Sequence, residues 1–165
     1  MRNQIPKLIV SGGQTGADRA ALDFAIAHDI PHGGFCPRGR KAEDGPIPDR
    51  YSLTETKTDE YPERTRQNIA MADATVIFAT VPEAELIQIR RSGSGLTVRE
   101  AKKQGRPYVV LSHFPDVKAD ADELAAFLHR QNPKTLNVAG SRESSQPGVA
   151  AHVAAVLELC AQRTF

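Results

Sequence analysis

Residues 7–21, KLIVSGGQTGADRAA, carry the reading that decides the fold. Lys7-Leu8-Ile9-Val10 has the apolar run of a buried strand. Ala17, Ala20, Ala21, Phe24 and Ala25 then recur at helical spacing, with Asp18, Arg19 and Asp23 on other faces. Between the two lies a turn with three glycines. A strand that leads through a glycine turn into a helix is the opening unit of a parallel α/β sheet.

Outward from this unit the alternation repeats. His32 to Cys36 suits a short strand. Residues 36–50 are rich in Pro, Gly and charge, hence loop. Tyr51 to Thr54 reads as a weak strand. Pro62 fits the first turn of a helix that sets Tyr61, Thr65, Ile69 and Ala72 along one side. Ala74 to Thr80 is a strong strand. Leu86 to Ile89 reads as a short strand or a lid, and Ser92 to Gly95 as loop. A helix over Leu96 to Gln104 ends at Gly105. Strands at Tyr108 to Ser112 and Leu136 to Ala139 alternate with helices at Asp120 to Gln131 and Val149 to Cys160. The strands are continuous apolar runs, as expected when both sheet faces are covered. The expectation is one Rossmann-like, three-layer α/β domain over residues 1–165, with a mostly parallel central sheet. Ligands of such sheets bind beyond the carboxyl ends of the strands.

That rule selects three loops. In Ser11-Gly12-Gly13-Gln14-Thr15-Gly16-Ala17-Asp18-Arg19, glycines let backbone amides approach a ligand, and the helix start favours an anion. The spacing is neither G-x-G-x-x-G nor a P-loop. Thr15 and Asp18 also have the spacing of a capping box. Gly93-Ser94-Gly95-Leu96-Thr97 offers a second helix start, where Thr97 and Glu100 have capping-box spacing too. Gly140 to Ser144 leaves the last strand at the same sheet edge, and Arg142 and the hydroxyls suit a phosphate or oxyanion. Arg38 sits in a basic loop that could close on an anion.

Composition narrows the function. The chain has 165 residues, 21 Lys plus Arg, 20 Asp plus Glu and no Trp. A net charge of +1 lacks the basic excess of a dedicated nucleic-acid binder. The sequence has neither a signal-like start nor an apolar run long enough to span a membrane, so a cytoplasmic protein is expected. Cys36 and Cys160 make neither a zinc site nor a disulfide framework. Cys36 lies in the basic loop, where a lowered thiol pKa is conceivable. The five histidines show no paired metal-ligand spacing, so no metal ligands are expected. No nucleophile–base pair stands out. These features favour binding of a small phosphorylated or nucleotide-like ligand over catalysis.

Five blocks together resemble a known family: SGGQTGADRAALDFA (11–25), GGFCPRGRKAEDGPIPDRY (33–51), RTRQN (64–68), GSGLTVREA (93–101) and LNVAGSRESSQPG (136–148). The chain is similar to the molybdenum carrier (molybdenum cofactor carrier protein) family. That family lies in the wider Rossmann-like superfamily of lysine-decarboxylase-like phosphoribohydrolases and the DNA-processing protein DprA. The resemblance implies a homo-oligomeric cytoplasmic protein that binds molybdenum cofactor, a pterin bearing a phosphate and a molybdenum–dithiolene group. It would shelter the cofactor until transfer to molybdoenzymes or cofactor-insertion proteins. On this reading Ser11, Gly12, Gly13, Gln14, Thr15, Gly16, Asp18 and Arg19 hold the phosphate. Gly93, Ser94, Gly95, Thr97, Arg142, Glu143 and Ser144 complete the crevice, and Arg38 closes it.

The phosphoribohydrolase relatives use P-G-G-x-G-T-x-x-E. Gly93, Thr97 and Glu100 match its first glycine, threonine and glutamate, whereas Ser92, Ser94 and Leu96 replace the proline and two glycines. The alternative is therefore a nucleoside-monophosphate phosphoribohydrolase using Glu100.

Overall fold

A computed structural model describes residues 5–163. Residues 1–4, the start of the segment read as carrying no signal, lie outside the described residues. The elements in chain order are β1 (Leu8–Val10), α1 (Ala17–Ala27), β2 (His32–Gly33), β3 (Phe35–Cys36), β4 (Thr54–Glu55), α2 (Tyr61–Met71) and β5 (Ala74–Phe78). There follow α3 (Glu83–Leu86), α4 (Gly93–Gln104), β6 (Tyr108–Leu111), α5 (Val117–Gln131), β7 (Thr135–Gly140) and α6 (Val149–Gln162). Among these residues no helix is long and apolar enough to cross a membrane.

Five strands form a parallel sheet in the order β2-β1-β7-β5-β6. The last strand in sequence, β7, is thus central and pairs with both β1 and β5. Helices cover both faces, giving the expected three-layer, Rossmann-like α/β fold. Residues of β5 show why its sequence is a run and not an alternation. Val76 and Phe78 join the core built with α1, α5 and α6, whereas Ile77 and Ala79 join Leu86 and Val98 of α3 and α4. A third, smaller core of Leu22, Cys36, Ile47 and Tyr51 anchors the 36–50 loop.

The path of the chain positions a crevice. It leaves β1 and β7 toward α1 and α6 on one face, and leaves β5 toward α3 and α4 on the other. Loops after neighbouring strands therefore diverge, and a cleft opens between them at the carboxyl edge of the sheet.

Several local expectations are corrected. The segment His32–Cys36 is two short strands in different sheets. Gly34, at φ +118°, separates them, and a Cβ there would lie 2.5 Å from the Ser11 carbonyl oxygen. The weak strand is Thr54–Glu55, because Tyr51 turns fully into the small core. Residues 86–89 do not form a strand: α3 and a turn occupy 83–89. Residues 93–95 belong to α4, whose cap is the Ser92 hydroxyl accepting from the Gly95 amide at 3.1 Å. Thr97 is consequently inside the helix, with its hydroxyl donating to the Gly93 carbonyl. Thr15 does not cap α1 either. Gly16 is the N-cap, and the Asp18 carboxylate accepts from the Gln14 amide at 3.2 Å.

Candidate functional site

A cavity of about 830 Å³ occupies the cleft, a size within the usual range for small-molecule sites. Residues after β1, β5 and β7 line it, as do residues of α2 and the start of α4. Of the residues selected from the sequence, Gly12, Gln14, Asp18, Gly93, Ser94, Thr97, Arg142 and Ser144 are in the lining. The convergence of the two glycine loops on one crevice is therefore present in the structure.

The other selected residues lie behind or beside the cavity. Ser11 is fully buried and its hydroxyl donates to the Val138 carbonyl at 2.8 Å, tying β1 to β7. Gly13, at φ +79°, packs on Ile47 and Leu53. Gly16, at φ +80°, lets the β1–α1 loop meet the backbone of Ser141 to Glu143. Arg19 donates to the Gly13 carbonyl and forms a two-pronged pair with Asp44. Gly95 abuts the Leu86 carbonyl. The Glu143 carboxylate accepts from the amides of Gly148 and Ala150 and so caps α6. Arg38 is exposed in the β3–β4 loop and is absent from the lining, as is Glu100 on α4.

The first glycine loop is more scaffold than cradle. The amides of Gln14, Thr15 and Ala17 already donate within the protein, to Asp18, the Gln14 side chain and the Ser141 carbonyl. What the loop offers instead is the Gln14 side chain. Its Oε1 accepts from the amides of Thr15 (3.1 Å) and Glu43 (2.9 Å), which fixes the orientation of the group. Its Nε2 is then buried with no partner among the described residues, in a residue only 4% exposed. An unmet buried donor costs stability, so this one calls for an acceptor that the described residues do not supply.

Charge in the lining is one-sided. The lining contains Arg64, Arg91, Arg99 and Arg142 and a single carboxylate, Asp18. Asp18 is committed to Arg64, at 3.6 Å, and to the Gln14 amide. Burial pushes its carboxyl above the ordinary value, and Arg64 opposes this. Beside the pair, the Tyr61 ring carries three cations at 5.0–5.4 Å from its centroid: Lys41, Arg64 and Arg142. Thus the cavity is electropositive although the whole chain is nearly neutral.

Sequence reasoning on the glycine loops missed the α2 contribution. Tyr61, Arg64, Thr65 and Asn68 all line the cavity. The available signal was their i, i+3, i+4, i+7 spacing, which gives one helix face both a ring and polar groups. Asn68 also fastens α2 to β3 through paired bonds with the Phe35 backbone, at 2.7 and 3.0 Å. The expectation for Cys36 is reversed: it is fully buried and burial raises its pKa.

Away from the cavity, His113, Asp120 and Glu123 bring three potential metal-donor atoms within 4.8 Å of one another. These groups have protein partners: His113 bonds Glu123, and Asp120 bonds buried His152 at 2.6 Å and accepts from the His113 amide.

Residues 9–161 match the model of the circularly permutated YpsA SLOG family. The crystal structure of a "Putative molybdenum carrier protein" from Syntrophus aciditrophicus SB is similar, with a TM-score of 0.85 and 36% identity over 94% of each chain. No curated protein matches the chain. The matched segment runs from β1 into α6 and includes every loop that lines the cavity, so the chain belongs to the circularly permutated YpsA SLOG family.

Proposed function

We propose that this protein binds molybdenum cofactor, or a closely related phosphorylated pterin, as a non-catalytic carrier. The observation that carries this reading is the cavity at the carboxyl edge of the sheet, whose lining holds four arginines against one already paired carboxylate, with the unmet buried donor of Gln14 in its wall. An anionic ligand rich in acceptor oxygens fits that chemistry. The similarity to a protein named for molybdenum carriage supports the choice of cargo.

The residues take distinct parts. Arg64 and Arg142, gathered around Tyr61, offer guanidinium groups to one anionic end of the ligand. The start of α4, with Gly93 and Ser94, together with Arg91 and Arg99, offers a second anion-attracting wall. Gln14 donates to a ligand oxygen or ring nitrogen between them. Glu100 lies outside the lining, and among the described residues Asp18 is the one carboxylate within it. Shelter without turnover is the simpler function for such a wall.

The test is retention. The purified protein is mixed with freshly released cofactor and desalted, and the protein fraction is read for pterin fluorescence after oxidation and for molybdenum. Both are expected to co-elute with the protein in fixed proportion. A folded protein that retains neither, yet releases ribose 5-phosphate from a nucleoside monophosphate, would favour the hydrolase reading instead.

A further inference from the structure

At the rim of the cavity the chain supplies an anion of its own. Glu43 belongs to the loop between β3 and β4. Its carboxylate accepts hydrogen bonds from the hydroxyls of Thr15 and Ser144 and from the Ser144 amide at 3.3 Å. Arg142 stands 3.8 Å from the same carboxylate. The surroundings comprise two hydroxyl donors, one backbone amide and one guanidinium, drawn from the loops after β1 and β7. This is the donor set that oxyanion recognition requires. Arg142 and Ser144 also line the main cavity, whereas Glu43 does not.

The geometry points to a built oxyanion site whose resident is Glu43, displaced when a phosphate or comparable tetrahedral oxyanion of the ligand enters. The inference rests on the proposed reading of the cavity and adds its regulation. The glutamate is tethered, so it competes as a local carboxylate at an effective concentration on the order of millimolar. Ligand that binds only when the site is vacated loses apparent affinity by the vacated fraction. Occupancy by Glu43 for about nine-tenths of the time weakens binding about tenfold.

Leaving the site would also release the loop. The Glu43 amide donates to the Gln14 Oε1, and the neighbouring Asp44 pairs with Arg19. Displacement of the carboxylate therefore loosens a contact to the same side chain whose Nε2 is buried in the cavity wall with no partner among the described residues. Entry of an anion at the rim and freedom of the Gln14 amide to meet a ligand are thereby coupled through one loop.

The test uses inorganic phosphate on the full chain, by calorimetry, and needs no cofactor. Glu43→Ala is expected to bind phosphate about tenfold more tightly than the native protein. The gain is expected to vanish in the double variant Glu43→Ala/Ser144→Ala, which removes one of the vacated donors. Glu43→Gln keeps the size of the side chain and loses the charge, so it is expected to show a smaller gain; it also covers the case in which Glu43→Ala fails to fold. Unchanged or weaker phosphate binding in a folded Glu43 variant overturns the inference and marks Glu43 as a structural latch only. A gain that survives loss of the Ser144 hydroxyl overturns it too, because the anion then binds elsewhere. The outcome is separable from the carrier reading: phosphate gain without cofactor retention sinks the carrier, and cofactor retention without phosphate gain sinks the resident-anion site.

Discussion

The guanidinium of Arg64 donates to the carbonyl oxygen of Gly12 at 2.9 Å, across 52 residues of chain. A Cβ at residue 12 would lie 2.2 Å from the same guanidinium, so a glycine at this position gives the arginine its room. One contact thus links the first glycine loop to α2, and it holds a cation against the cavity.

Arg64→Ala should destabilise the fold by about 3 kcal/mol, because it leaves a buried carboxylate without its cation. The check is a lower urea midpoint at unchanged slope. The pH dependence follows from Asp18, whose folded-state carboxyl titrates above its ordinary 3.8. A raised carboxyl favours folding below that value and loses the advantage as pH rises through the folded pKa. Without Arg64 the folded pKa rises further. The deficit of the variant should therefore be largest near neutrality and shrink as pH falls toward 3.8.

Glu43 should show the opposite sign. Hydrogen bonds from Ser144 and Thr15 hold its carboxyl below the ordinary 4.5. Its contribution is present above 4.5 and lost as pH falls through the folded pKa. Native protein should then exceed Glu43→Gln in thermal stability at neutral pH, and the two should converge in acid. A gap that widens in acid would contradict the assignment.

Gly16→Ala and Gly39→Ala separate backbone strain from crowding. Both residues have φ near +80°, but a Cβ on Gly16 would lie 2.4 Å from the Ser141 carbonyl oxygen, whereas among the described residues nothing stands within 4 Å of one on Gly39. Gly39→Ala should cost about 1–2 kcal/mol from the left-handed conformation alone. Gly16→Ala should cost clearly more, because backbone cannot move aside as a flexible side chain can. Equal melting temperatures would contradict this.

Both thiols should resist a thiol reagent in the folded protein and react after unfolding. Cys36 is fully buried, and burial pushes the Cys160 thiol up to about 11. Thiolate, the reactive form, is scarce at neutral pH for such groups. Fast labelling of either cysteine under native conditions would contradict the packing around it.

The sequence made the fold legible because the evidence for it is local. Runs such as Ala74 to Phe78 carry no charge and are buried on both faces, and most helix starts are marked by glycine or proline. Strand order was not legible. Nothing in residues 135–140 announces that β7 inserts between β1 and β5, since pairing is a long-range choice. The site was half legible for the same reason. Glycine loops at strand ends point to a crevice, so Gln14, Gly93 and Arg142 could be chosen. Arg64 could be placed on a helix face with Tyr61, Thr65 and Asn68 from spacing, but its relation to Gly12 exists only after α2 docks. Likewise Glu143 reads as a loop carboxylate until the turn of the chain brings it onto the α6 amides. Residues that serve a ligand and residues that serve a loop have one composition, and only geometry separates them.

The central claim is that Gln14 and the arginines around it hold molybdenum cofactor in the cavity. The most direct measurement compares cofactor retention after desalting in native protein and in Gln14→Glu. This substitution keeps an acceptor for the Thr15 and Glu43 amides but exchanges the unmet donor for a carboxylate oxygen. The expected result is pterin and molybdenum co-eluting with native protein in fixed proportion, and retention lower by about tenfold or more in a folded Gln14→Glu. Equal retention by the two proteins, or none by the native one, would contradict the claim.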